Sequence, residues 1–87
     1  MFTVYVLRSH TREYWYIGLT NNLDRRILQH QNGKERTTRA YKPFSLVHAE
    51  HFKTRQEARN REKCLKSGFG REWLKLQYSS APRLDLS

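Results

Sequence analysis

Tyr14-Trp15-Tyr16-Ile17-Gly18-Leu19-Thr20-Asn21-Asn22-Leu23 passes from strand chemistry to helix chemistry within one short run. Aromatic and β-branched residues dominate Tyr14 to Leu19, which predicts a strand. Upstream, Phe2 to Leu7 has the same character and is separated from it by the polar stretch Ser9 to Glu13, so the two runs read as an antiparallel hairpin. Alternation places Thr3, Tyr5 and Leu7 on one face of the first strand, and Tyr14, Tyr16 and Gly18 on one face of the second. Tyr5 and Tyr16 can therefore share a face. Downstream, Asn21 or Asn22 suits the N-cap of a helix from about Leu23 to Gln31, and Asn32-Gly33 suits its end. At about 100° per residue, Leu23 and Ile27 form the buried stripe of that helix, Arg26 and His30 flank it at i,i+4 spacing, and Arg25 points away.

Beyond Gly33, Lys34, Arg36, Arg39 and Lys42 recur without apolar periodicity, which predicts a basic loop; Pro43 then introduces a third strand, Phe44 to Phe52. Thr54-Arg55-Gln56-Glu57 has the form of a capping box, so a second helix begins there and runs to about Lys66, where Ser67-Gly68 ends it. Arg71 to Tyr78 predicts a short closing helix. Ala58, Leu65 and, a turn later, Phe69 are expected to form the inward stripe, with Glu62 between them. From Ser79 onward no period is sustained, so the reading is a single domain over 1–78 and a flexible tail over 79–87.

The chain has 87 residues, and 17 Lys and Arg against 8 Asp and Glu give a formal charge of +9. One hydrophobic core is the natural outcome at this length, and an excess of positive charge recurring along the chain implies a polyanionic partner. Cys64 is the only cysteine, which excludes an internal disulfide and a thiolate metal cluster and is in keeping with a reducing, cytoplasmic setting. Phe2 to Leu7 is too short for a signal-peptide core, and no segment approaches membrane-spanning length. His48 and His51 fall on opposite faces of the third strand, which argues against their joining His10 in a zinc site.

Glu62 stands out because a carboxylate beside an apolar stripe needs a cation, a hydrogen-bond network or a water-filled cleft. Its plainer reading is an i,i+4 ion pair with Lys66. Likewise Tyr5 and Tyr16 taken singly suit packing, Arg26 a phosphate contact and His30 a helix end. Together, Thr3-Val4-Tyr5, Tyr16-Ile17-Gly18, Leu23-x-x-Arg26-x-x-x-His30 and Arg61-Glu62 form an ordered constellation. In order and spacing it resembles the GIY-YIG nuclease family over roughly residues 2 to 77. Small stand-alone bacterial members are the nearest in pattern, through Ala58-x-x-Arg61-Glu62-x-x-Leu65-Lys66 and Arg71-Glu72-Trp73-Leu74. Larger members include the incision subunit of bacterial excision repair, homing endonucleases, restriction enzymes and structure-specific resolvases.

The resemblance implies an α+β fold, a three-stranded antiparallel sheet flanked by helices, and hydrolysis of DNA phosphodiesters, on branched, damaged or single-stranded DNA, with RNA not excluded. It assigns catalytic roles to Tyr5, Tyr16, Arg26, His30 and Glu62. Glu62 is the ligand of one Mg²⁺ or Mn²⁺, an ion that keeps several waters and so needs few protein ligands. Arg26 stabilises charge on the scissile phosphate, Tyr5 or Tyr16 orients the attacking water, His30 assists, and Gly18 is structural. Arg8, Thr20, Arg25, Lys34, Arg36, Arg39, Lys66 and Arg71 are candidates for nucleic-acid contacts. Where several relatives have a lysine after the glycine this chain has Leu19, and an asparagine that several carry beyond the glutamate is missing. A non-catalytic nucleic-acid-binding module on the same scaffold is the alternative, and a monomer is the default.

Overall fold

β1 (Phe2–Ser9), β2 (Trp15–Thr20) and β3 (Phe44–Phe52) form one antiparallel sheet, ordered β2-β1-β3, in the computed structural model, which describes residues 1–36 and 38–78. Around it lie α1 (Leu23–Gln31), α2 (Arg55–Lys66) and α3 (Gly68–Tyr78), as the α+β reading requires. The central strand is buried from Thr3 to Leu7 because both of its faces are covered. Alternation along β1 divides the core in two. Val4 and Val6 meet Ile17, Ala58, Leu65 and Leu74 on the α2/α3 side. Tyr5 and Leu7 pack on the other side with Phe44, Tyr16, Leu23 and Ile27.

The helix ends follow their local chemistry. Asn22 caps α1 by accepting the Arg25 amide at 3.2 Å. At the other end Gly33 takes φ 74°, and the amides of Gly33 and Lys34 reach back to the carbonyls of His30 (3.1 Å) and Gln29 (3.0 Å). These two bonds form a Schellman motif, which a left-handed glycine permits. Thr54 and Glu57 form the reciprocal capping box of α2.

Three local expectations need correction. Ser67 adopts extended backbone between α2 and α3, so α3 begins at Gly68 rather than Arg71. Phe69 consequently belongs to α3 and is 79% exposed instead of continuing the inward stripe. The corner closes tightly: a Cβ on Gly70 would stand 2.1 Å from the Cys64 carbonyl oxygen, so only glycine permits this approach. The basic loop also holds a 3-10 turn, Arg39–Tyr41, whose Tyr41 ring stacks on Tyr14 at 3.8 Å. The Lys42-Pro43 bond that follows is cis. The expected tail, 79–87, lies outside the described residues.

A polar network ties α2 to β3. Arg61 grips both carboxylate oxygens of Glu50 at 3.0 to 3.1 Å and lies over the Trp73 ring, while Glu50 also meets His48 at 2.6 Å and His48 bonds the Tyr78 hydroxyl. Burial alone raises the carboxyl pKa of Glu50, but the bonds from Arg61 and His48 outweigh it and hold the group below its ordinary value. The consequence is geometric. With Arg61 anchored, the roll of α2 about its axis is set, and so is the direction in which Glu62 faces.

On the opposite face Tyr5 pairs across the ladder with Gly18, and its ring tip lies over that glycine. A Cβ at Gly18 would come 2.5 Å from both Cζ and Oη of Tyr5. Tyr5 is fully buried beside Tyr16 and His30, so the ring has no room to retreat. Gly18→Ala is therefore expected to lower stability by about 1–3 kcal/mol, the usual cost of overpacking. Denaturant unfolding checks this, and the pair Gly18→Ala/Tyr5→Leu should recover part of the loss if the clash is with the ring tip.

Candidate active site

The Tyr5 hydroxyl is the meeting point of β1 and α1. It accepts from Arg26 Nε at 3.3 Å and lies 3.0 Å from His30 Nε2, while His30 Nδ1 lies 2.8 Å from Thr38 Oγ1. Proton directions follow by elimination. Arg26 Nε–H can only donate to the Tyr5 oxygen, so the buried Tyr5 O–H finds its acceptor at His30 Nε2, and the Nδ1–H then donates to Thr38 Oγ1, an arrangement in which each group has a partner. His30 is thus held as the neutral Nδ1–H tautomer, and its fully buried ring suits that state. Burial and the adjacent Arg26 charge both lower its pKa, against a smaller opposing pull from Glu35. The Tyr5 phenol is pushed up to about 12, chiefly by burial and despite its bond from Arg26.

Arg26 is fixed by three partners: Tyr5, Gln29 Oε1 at 3.1 Å and Glu35 Oε2 at 2.9 Å. A guanidinium has five N–H donors, so these three bonds do not exhaust it, and Tyr16 also lies within its reach. Arg26 also lines an open hollow of about 360 Å³, with Thr20, Arg25, Gln29, Leu19 and Arg55 among its walls. The Tyr16 ring is half-buried and sits 4.8 Å from His30 and 6.1 Å from Tyr5, so the expected common face of the two tyrosines is present.

Glu62 stands apart from this cluster. Its side chain is 13% exposed, with Lys66 Nζ at 3.1 Å from one oxygen and Arg59 Nε at 3.6 Å from the other, so the i,i+4 pair allowed by the spacing does form. The carboxylate borders a hollow of about 260 Å³ whose other walls are Leu19, Arg55, Arg59, Lys63 and Lys66. Leu19 and Arg55 line both hollows, so those of Arg26 and Glu62 adjoin across them. Among the described residues no group of three or more His, Cys, Asp or Glu could hold a metal. A hard carboxylate beside an open hollow nonetheless suits an ion that keeps its waters, provided phosphate offsets the surrounding cations.

The remaining candidates divide. Thr20 and Arg25 lie at the Arg26 hollow, and Arg71 donates to the Lys66 carbonyl at 3.0 Å beside Glu62's helix. Lys34 and Arg36 are exposed on the loop that Glu35 ties to Arg26, and Arg39 clasps the Gly33 carbonyl at 2.9 Å. Arg8 is not gathered in: it lies over Trp15 and donates to the Tyr78 carbonyl, on the α3 side of the sheet. Sequence reasoning missed Thr38 and Glu35, which support His30 and Arg26, because they sit in a loop with no period. It also read His30 as flanking the buried stripe of α1, whereas His30 is the one fully buried residue of that helix.

The GIY-YIG catalytic domain model matches residues 1–75. A UPF0213 protein of Clostridium perfringens is 42% identical over 64 residues, covering 72% of this chain and 68% of that protein. A UPF0213 protein of Natronomonas pharaonis is 42% identical over 65 residues, covering 74% and 75% respectively. The solution NMR structure of the UPF0213 protein BH0048 from Bacillus halodurans superimposes with a TM-score of 0.54 at 35% identity, over 90% of this chain and 86% of that one. Strand order, the Tyr16-Ile17-Gly18 segment and the match over nearly the whole described domain agree: the chain belongs to the GIY-YIG family, as a small member similar to the UPF0213 proteins.

Proposed function

We propose that residues 1–78 form a divalent-metal-dependent DNA endonuclease that acts in the cytoplasm as a monomer. The family match supports a nuclease. The observation that carries the finer reading is the directional network of Arg26, Tyr5 and His30, whose hollow adjoins that of Glu62 across Leu19 and Arg55. Glu62 holds Mg²⁺ or Mn²⁺ in this reading, and the ion supplies Lewis-acid stabilisation of phosphate charge when bound. N–H donors of Arg26 left over by these partners take a non-bridging oxygen of the scissile phosphate, and the fixed guanidinium needs no reorganisation as charge develops.

Of the two tyrosines, Tyr16 suits the attacking water better. It is half-exposed, whereas Tyr5 is fully buried and its phenol is hard to ionise. Tyr5 is then the anchor that aims Arg26 and His30, a positioning residue. Thr20, Arg25, Lys34, Arg36 and Arg71 serve as phosphate contacts flanking the cut. The engagement of Glu62 by Lys66 favours a second reading, a binding module without turnover, and the divalent cation separates the two.

Incubated with Mg²⁺ or Mn²⁺ and a panel of flapped, branched, single-stranded and duplex DNAs, the protein is expected to nick at least one. Glu62→Ala and Arg26→Ala should each cut about 10²–10³-fold more slowly, as loss of a charge-stabilising group commonly does. Equal cutting by wild type and variants would assign the activity to a contaminant. Salt-sensitive DNA binding with no turnover under either metal would establish the binding module.

A pH dependence follows from His30. The unfolded chain takes up its proton near the ordinary value of about 6.5, the folded protein only at lower pH. Stability contributed by neutral His30 is therefore complete above about 6.5 and is lost as pH falls through the lower folded pKa. Thermal unfolding from pH 7.5 to 5 should show this loss in wild type and a shallower slope in His30→Gln. Cleavage should fall over the same acid range, since protonated Nε2 cannot accept from Tyr5.

A further inference from the structure

Lys66 borders two hollows at once. One is that of Glu62; the other, of about 410 Å³, is lined by Tyr16, Trp15, Arg71 and Lys75 as well as Lys66. In this second hollow three cations face the β2 segment, while Glu13 is the only acid in its wall. Arg71 is held there by its bond to the Lys66 carbonyl. Such a surface suits the phosphates of a strand running on from Tyr16.

The ammonium of Lys66 is engaged elsewhere. It sits 3.1 Å from Glu62 Oε2, yet its side chain is half-exposed, so only a surface ion pair holds it there. The geometry points to Lys66 as a toggle: paired with Glu62 in the free protein, transferred to backbone phosphate in the second hollow when DNA binds, and thereby releasing the Glu62 carboxylate for the metal. This deepens the proposed nuclease reading and rests on it.

Two physical constraints carry the inference. A divalent cation entering the Glu62 hollow of the free protein meets four positive side chains, Arg55, Arg59, Lys63 and Lys66, and one of them already occupies a ligand oxygen. A Lys side chain is long and flexible, so it can exchange one oxyanion for another without moving the helix. Metal and DNA binding then reinforce each other, and by linkage the coupling is the same in both directions. Arg59, at 3.6 Å, lies beyond a normal hydrogen bond from Glu62 and gives way more readily.

The test titrates Mn²⁺ by electron paramagnetic resonance into wild type, Lys66→Met, Lys63→Met and Glu62→Gln. Each is measured alone and with a phosphorothioate DNA hairpin carrying a single-stranded arm, which keeps full charge and resists hydrolysis. Wild type should bind Mn²⁺ about tenfold more tightly when the hairpin is present, within the usual range of coupling between sites. Lys66→Met should reach about that affinity without DNA and gain little from it. Lys63→Met, which removes an equal charge from the same hollow but no bond to Glu62, should keep most of the gain. Unchanged affinity in free Lys66→Met, or equal behaviour of the two lysine variants, overturns the toggle while leaving the nuclease reading intact. Wild type indistinguishable from Glu62→Gln, with or without DNA, overturns the metal assignment and the toggle together.

Discussion

A phenol ring resting on a glycine organises this domain. Tyr5 can direct its hydroxyl into the interval between Arg26 and His30 only because Gly18, its cross-strand partner, presents no side chain beneath the ring. From that contact the rest of the cluster follows in order: Arg26 is aimed, His30 is set as the Nδ1–H tautomer, and Thr38 and Glu35 draw the loop after α1 against the helix. The motif therefore states a packing rule as well as a chemical one. Tyrosine and glycine on paired strands are two halves of a single steric fit.

The central strand turns that fit into architecture. Along β1, odd residues carry the polar cluster and even residues carry the hydrocarbon core under α2 and α3. A one-residue slip would exchange the two sets and bury the site's polar groups in the wrong layer. Because β2 lies at the sheet edge, the hollows of Arg26 and Glu62 can adjoin beside it, with Leu19 and Arg55 common to both. Leu19 is thus an apolar wall common to the two hollows rather than a charged participant in them.

Much of this was legible from residue order. Three strands, the α1 bounds and the α2 capping box came from periodicity and caps, which are local signals, and the shared face of Tyr5 and Tyr16 came from simple alternation. Glu62 was visible as an acid beside an apolar stripe. The parts that escaped are those whose cause is nonlocal. Gly70 carries no local signal of the Cys64 carbonyl that packs against it, and Phe69 continues the α2 stripe until extended Ser67 turns the chain. Thr38 and Glu35 had no signal, since a hydroxyl and a carboxylate in an aperiodic loop acquire meaning only from the partners brought to them.

Arg61 and Glu62 are neighbours in sequence with separate duties, one gripping Glu50 on β3 and the other bordering the cleft near β2. Their division of labour depends on the angle between successive helical residues, which makes α2 a phase-sensitive part. An insertion or deletion of one residue between Thr54 and Arg61 would rotate both side chains by about 100° relative to the capped end. The clamp and the carboxylate could not then be satisfied together. The distance from the α2 cap to Glu62 is accordingly a fixed dimension of the domain.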